Sequence, residues 1–258
     1  MQLHSLPRVS VLVPAYNEEK YIVQTLSALL EQDYPNFEII VADNASMDRT
    51  SCLVQHMIEE LPVLDIQLKL VFESRKGTNF ARECARKHAT GSIIAQIDAD
   101  CIPSKNWIRK GVKALLGSHN KRVAVTGPYN YYDGDQWMRL FSLLSQQLVY
   151  PVINTMVQMA GRAAILIGGN TFIRADVLEL AGGYNTELTF YGDDVDMGKR
   201  LAKFGEVGYC SGLTMATSSR RYLANGFWEV NKKYQACFWN LVWQKNNLLQ
   251  TAETSHPR

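Results

Sequence analysis

Through its first hundred residues the chain alternates β-branched apolar runs with apolar residues at helical spacing. Val9 to Val13 reads as a first strand, and Pro14-Ala15-Tyr16-Asn17 is expected to break it, because proline cannot donate to a central ladder. Ile22, Leu26, Leu29 and Leu30 then recur at helical spacing. Asn17 is the expected cap of that helix, with Glu18 and Glu19 in its acidic first turn. Phe37 to Ala42 reads as a second strand closing on Asp43-Asn44-Ala45-Ser46. Ser46 or Asp48 would cap a helix whose apolar face is Leu53, Val54, Met57, Ile58 and Leu61. Leu68 to Phe72 gives a third strand, Lys76-Gly77 a turn, and Ala81, Cys84 and Ala85 the inner face of a third helix. Gly91 stops that helix, and Ser92 to Ile97 reads as a buried fourth strand. Strand-helix alternation of this kind predicts an α/β fold with a doubly wound, mostly parallel central sheet flanked by helices.

After residue 100 the alternation loosens. Trp107, Ile108, Val112, Leu115 and Leu116 form a helical face, with Trp107 in the core, and Val123 to Thr126 a strand ended by Gly127-Pro128. Gly168-Gly169-Asn170 leads into a short strand, Thr171 to Ile173. Asp176 to Ala181 reads as a helix stopped by Gly182-Gly183. Another helix opens at Gly192-Asp193-Asp194-Val195-Asp196. No internal repeat or clean linker interrupts the chain, so residues 1–217 are expected to form one domain with a nucleotide half over about 1–102 and an acceptor half over about 103–217. Residues 218–258 form an expected helical extension, with Phe227, Val230, Tyr234, Phe238 and Leu241 at helical period.

Composition is that of an ordinary globular chain: 258 residues, 47% hydrophobic and 20% charged, enough to bury a sizeable core. A net charge of +2 gives no bulk attraction to nucleic acid. The cysteines number five, an odd count. They are widely spaced without a C-x-x-C, which favours neither a disulfide framework nor a zinc site and fits a reducing, cytoplasmic setting. Met1 to Arg8 lacks the order of a secretory signal. No charged residue lies between Arg139 and Arg162, but Gln146, Gln147, Pro151 and Asn154 make that stretch too polar to span a bilayer. It is expected to be buried or to face an acceptor, with a helix lying on a membrane surface as the alternative.

Ile97-Asp98-Ala99-Asp100 concentrates the candidate chemistry. On an extended chain residues i and i+2 share a side, so both carboxylates would emerge together at the end of a central strand, where open α/β sheets bind ligands. Two like charges so close repel, and Mg²⁺ or Mn²⁺, which prefer oxygen ligands, would relieve this. Tyr16-Asn17, Asp43-Asn44 and Arg75-Lys76 end the other strands, and four such polar ends on one sheet edge describe a nucleotide pocket.

These motifs, in order, resemble a family 2 glycosyltransferase of GT-A fold. The resemblance runs from about Val9 to about Val207. Val11-Leu12-Val13-Pro14-Ala15-Tyr16-Asn17-Glu18 resembles the family's opening strand and loop, and Ile40 to Asp48 its second strand and acidic turn. Asn79-Phe80-Ala81-Arg82 resembles the segment after the third strand, Asp98-Ala99-Asp100 the metal-binding D-x-D, and Gly182-Gly183-Tyr184 with Gly192-Asp193-Asp194 the acceptor-side block. The resemblance implies that Pro14, Tyr16 and Glu18 line the nucleotide pocket and that Asp43 accepts a hydrogen bond from the base. Lys76 or Arg82 would meet the diphosphate. Asp98 would face ribose or metal, and Asp100 would ligate the metal. Asp194 would be the base of an inverting transfer from a nucleotide sugar, a UDP-sugar, to an acceptor hydroxyl in glycan, glycolipid or cell-envelope synthesis. Asp193 stands where the family often has Glu, which leaves open which acid is the base. Asn170, Arg174 and Tyr191 either line the acceptor side or are scaffold. Downstream, Leu213 to Ser218 lacks the His that some members add as a metal ligand.

A non-catalytic nucleotide-sugar binder and a nucleotidyltransferase are the competing readings. The second would call for a Gly-rich loop after the first strand, which Pro14 to Asn17 is not. The aromatic, basic tail suggests peripheral contact with an anionic membrane that would carry a lipid-linked acceptor, or else a helix packed on the domain. Arg220-Arg221 could instead bind diphosphate.

Overall fold

A computed structural model of the chain describes residues 6–61, 66–117, 121–159, 164–188 and 192–243. The alternating half forms β1 (Val9–Ala15), α1 (Ile22–Leu30), β2 (Phe37–Asp43), α2 (Thr50–Glu60), β3 (Gln67–Phe72), α3 (Thr78–Lys87) and β4 (Ile93–Ile97). Next come β5 (Cys101–Ile102), α4 (Trp107–Leu116), β6 (Arg122–Thr126), β7 (Tyr129–Tyr131) and α5 (Gln136–Leu144). A π-helical turn (Ser145–Val149) joins α5 to α6 (Tyr150–Met159). The remainder is β8 (Asn170–Arg174), α7 (Ala175–Leu180), α8 (Asp193–Leu201), β9 (Glu206–Tyr209), β10 (Met215–Thr217), α9 (Arg220–Asn225) and α10 (Phe227–Trp243).

Seven strands make one sheet in the order β3-β2-β1-β4-β8-β6-β9. β1 pairs in parallel with both β2 and β4, so the strand order reverses between β1 and β4. The crevice at their carboxyl ends is the switch point where such sheets take ligands. β8 is the exception to parallel pairing, running antiparallel to β4 and β6. Helices cover both faces, which is why β1 and β2 are buried at nearly every position rather than at alternate ones. On one face Val11, Val13 and Ile39 pack with Ile22 and Leu26 of α1, Val54 of α2 and Trp107 of α4. On the other, Leu12, Ile40 and Ile94 pack with Ala81 and Ala85 of α3, Leu178 of α7 and Leu201 of α8. A second sheet, β5-β10-β7, returns the late residues Met215–Thr217 to the neighbourhood of Asp100.

Several local expectations change. Pro14 continues β1, paired with Ala42, because the β4 ladder has already stopped at Leu12 and Gln96. Asn17 is not a helix cap. Its backbone is left-handed at φ 53°, and its side-chain oxygen accepts the Met47 N–H at 2.8 Å. Asp48 does accept the Thr50 N–H at the start of α2. The uncharged stretch is not buried: it is helical and exposes a row of apolar side chains, while Ser142, Gln146 and Asn154 turn inward. No helix among the described residues is long and apolar enough to cross a membrane.

Candidate active site

The acidic pair leaves β4 at the switch point, but not on extended backbone. The chain turns after Ile97, and Cys101 N–H donates to the Asp98 carbonyl at 3.1 Å. Strand alternation therefore stops before Asp98, and the two carboxylates take different partners instead of emerging side by side. Thr25 of α1 donates to the Ala99 carbonyl at 2.7 Å and pins the turn.

Asp98 accepts a hydrogen bond from Arg82 Nη2 at 3.1 Å and one from Tyr129 OH at 3.3 Å. Arg82, on the buried face of α3 with its side chain 6% exposed, also donates from Nη1 to Asp193 at 2.8 Å and lies 4.0 Å from Asp194 Oδ1. One guanidinium thus ties the strand-end acid to the acidic start of α8, 111 residues later in sequence. Its geometry suits two carboxylates at once, and they raise its proton affinity against the cost of burial.

Burial pushes both Asp193 and Asp194 above the ordinary carboxylate range. At Asp194 repulsion from Asp193 and Asp98 adds to this, while Arg82 and the Gly168 N–H, 3.1 Å from Oδ2, oppose it. Gly168 is held by Gln96, whose amide donates to its carbonyl at 2.9 Å, and Gln96 in turn accepts from Tyr184 OH. Side chains would not fit here. A Cβ on Gly168 would stand 2.3 Å from Asp194 Oδ1, and one on Gly169 2.4 Å from Asp98 Oδ2.

Asp100 belongs to a second acidic group, joined to Glu18 through Arg220. Arg220 Nε is 3.0 Å from its Oδ2, and Thr217 Oγ1 is 3.5 Å from its Oδ1. Burial, with Asp98 and Glu18 nearby, pushes its carboxyl up to about 6 against the pull of Arg220. The same arginine donates to both oxygens of Glu18, at 2.7 and 2.6 Å. Asp133 fixes the approach to it by accepting from Ser218 and from the Ser219 N–H.

Asp43 is 2% exposed and accepts from Ser51 at 2.7 Å and from the Ser46 N–H at 3.3 Å. Asn44 clamps the neighbouring loop, donating to the Glu73 and Arg75 carbonyls and accepting from Gly77 N–H. Lys76 donates to Tyr16 OH at 2.9 Å at the exposed rim. Pro14 lies near the end of the β1 ladder, one residue before Ala15, which pairs with Asp43.

Among the expected site residues, Asp98, Arg82, Asp193 and Asp194 form one cluster, and Asp100 and Glu18 a second joined through Arg220. Asn170 is scaffold: it is fully buried, accepts from Trp107 Nε1 at 2.8 Å and donates to the Leu213 carbonyl at 2.6 Å. Arg174 is spent on Asp176. Tyr191 lies outside the described residues. Sequence reading missed Tyr129, Thr217 and the close approach at Gly168 and Gly169. The double glycine was visible only as punctuation, and nothing distinguished Tyr129 from its aromatic neighbours.

Among the described residues no three Asp, Glu, His or Cys side chains gather as a ready-made metal cage. One or two carboxylates with room for phosphate oxygens and water is still the usual protein share of a Mg²⁺ site. Asp100, raised by burial and then by Asp98 and Glu18, fits a cation beside Arg220.

The profile described as Glycosyl transferase family 2 matches residues 10–181. This chain belongs to that family. Glycosyltransferase AglE of Haloferax volcanii is 28% identical over 203 residues, covering 78% of this chain and 63% of AglE. The probable glycosyltransferase YdaM of Bacillus subtilis is 30% identical over 202 residues, 72% of this chain and 47% of YdaM. This family 2 chain therefore spans about half to three fifths of those relatives' length. In three dimensions it is similar to the mannosyltransferase PcManGT from Pyrobaculum calidifontis, solved with GDP-Man and Mn²⁺. The TM-score is 0.69 at 28% identity, over 89% of this chain and 61% of that one. S. aureus TarS in complex with UDP-GlcNAc gives 0.62 at 22% identity, over 92% and 68%, a likeness of fold alone. The fold of this family 2 chain is accordingly GT-A. The matched family segment ends before Asp193, Asp194 and Arg220.

Proposed function

We propose that the protein transfers a sugar, with inversion, from a nucleoside diphosphate sugar to an acceptor hydroxyl, and that Asp194 is the base. The observation that carries this is the Arg82 clamp, which draws the acidic strand end and the α8 acids into one place. A non-catalytic binder has no need of that second acid group.

The roles follow from the surroundings. Asp194 has a raised proton affinity, so it can take a proton from an alcohol better than an ordinary carboxylate. Arg82 and the Gly168 N–H hold it in position. Asp193 is tied to Arg82 at 2.8 Å and serves as a positioning residue. Asp100 would hold a divalent cation, Mn²⁺ or Mg²⁺, with Asp98 facing the ribose or the same ion. That cation supplies charge neutralisation for the departing diphosphate. Lys76, at the exposed rim, is the mobile cation for the phosphates. Both terminal nitrogens of Arg82 are taken by Asp98 and Asp193, so it does not take that part.

Asp43 retains acceptor lone pairs beyond its two present hydrogen bonds. A carboxylate there suits a base that presents an N–H, as uracil and guanine both do. The donor read from the sequence is a UDP-sugar. A GDP-sugar is the second reading, favoured by the GDP-Man bound in PcManGT. The acceptor is a carbohydrate or lipid-linked hydroxyl, in glycan or glycolipid synthesis on the cytoplasmic side.

The deciding variant is Asp194→Asn. It should lose transfer by about 10²–10⁴-fold while its affinity for nucleoside diphosphate, measured by calorimetry, stays within about twofold. Full transfer by the variant would overturn the assignment.

A further inference from the structure

We infer that the uncharged face of α5 and α6, together with the start of α10, docks on an anionic lipid bilayer. The inference begins with an inversion of the usual amphipathic arrangement. In a surface helix polar residues face water and apolar ones the core. Here Gln146 points inward, accepting the Tyr129 N–H at 2.7 Å and donating to the Tyr129 carbonyl. Asn154 also points inward, donating to the Val207 carbonyl and accepting the Ile165 N–H. The outer side carries Trp137, Phe141, Leu144, Leu148, Val152 and Met156, each between 49% and 82% exposed.

These residues recur every three to four positions and so form one stripe. From Gln136 to Met159 the stripe extends about 35 Å, and no charge interrupts it after Arg139. A contiguous exposed apolar stripe of this kind marks an interaction surface.

The stripe does not stop at α5. Phe141 meets the rings of Phe227 and Trp228 edge-on, at 5.7 and 5.9 Å. Trp228 and Leu223 are themselves exposed. One turn beyond Trp228, on the same side of α10, stands exposed Lys232, followed by Lys233. An apolar band with indole rings and a lysine edge matches the layering of a bilayer surface, acyl region first and anionic headgroups beyond. The lysine edge complements anionic headgroups, and this charge match favours lipid as the occupant.

The inner side of the same helices reaches the chemistry: Gln146 holds the Tyr129 backbone, and the Tyr129 hydroxyl donates to Asp98 at 3.3 Å. On the reading proposed above, a bilayer under this face would present an amphiphilic acceptor to the base from the membrane side. Docking itself does not depend on that reading.

Vesicle co-sedimentation of the full chain tests the inference. Vesicles of phosphatidylcholine with phosphatidylglycerol should pellet the protein, and pure phosphatidylcholine vesicles should pellet less of it. Leu148→Glu with Met156→Glu, both at exposed positions, should weaken pelleting about tenfold or more. Lys232→Glu should remove the preference for phosphatidylglycerol. Nucleoside diphosphate affinity and the thermal midpoint should be unchanged in both variants, which separates docking from catalysis and from misfolding. Wild-type protein left in the supernatant by both vesicle types would overturn the inference. So would equal pelleting of the double variant, or a dimer in sedimentation that the double variant dissolves without any vesicle binding.

Discussion

Arg82 is surrounded by three acids and is itself almost excluded from water, so its removal has a definite sign. Arg82→Met would leave Asp98, Asp193 and Asp194 facing one another without a counter-charge. The expected loss is about 3–5 kcal/mol at neutral pH. It should shrink as pH falls, because protonation of the freed acids removes their repulsion; urea unfolding at two pH values measures this. Gly168→Ala makes the complementary point about position. Its Cβ would collide with the Asp194 carboxylate, so kcat should drop about tenfold to a hundredfold while nucleotide affinity holds, a split that steady-state kinetics and calorimetry resolve together. The raised proton affinity of Asp194 also fixes a pH profile. A base works only when deprotonated, so the rate should climb with pH through an apparent pKa above the ordinary carboxylate range, and Asp194→Asn should abolish that limb. The acids themselves were legible in the sequence as short ordered motifs. Arg82 was legible too, but as a cation for the diphosphate; its tie to the acids, with Tyr129 and Gly168, comes from the meeting of α3, β7 and the loop before β8, and no local pattern encodes a contact between elements.

At the scale of elements, Glu38 shows what the strand pattern conceals. It sits on β2 with its side chain fully buried, accepting from Ser10, Thr90 and Lys69. Burial alone would raise its carboxyl, but these bonds outweigh that and bring it down to about 2 from an ordinary 4.5. A lowered folded value means stability that is present above about 4.5 and lost as pH falls toward 2. The amount is about 3 kcal/mol by linkage. Glu38→Gln should therefore be less stable by roughly that much at pH 7, with the gap narrowing below pH 4.5 and closing toward pH 2 in denaturant titrations. The first four strands and three helices were readable because each is long enough to show its period. β5, β7, β9 and β10 have two to four residues apiece, too few for any alternation to register. The α5–α6 stretch failed differently. Lack of charge suggested burial, yet composition cannot say which side of a helix turns inward, and here the amides did.

For the molecule as a whole, ligand linkage offers the broadest check. A nucleoside diphosphate at a hundred times its dissociation constant should stabilise the fold by about 2.7 kcal/mol. The rise in thermal midpoint should be larger with Mn²⁺ present, and the comparison of UDP with GDP assigns the donor base. The architecture itself was largely legible, since alternation of strand and helix leaves few topologies. The return of the late chain to the early one was not. Glu18 and Arg220 are 202 residues apart in sequence, and that separation has a temporal meaning. At about 5–20 residues per second, a ribosome needs about 10–40 s between delivering the glutamate and delivering the arginine. For about the last 120 residues of that interval, roughly 6–24 s, Asp100 is also present, and it and Glu18 lack their shared cation. The newborn amino-terminal half must tolerate a gap in its own charge balance until Arg220 emerges.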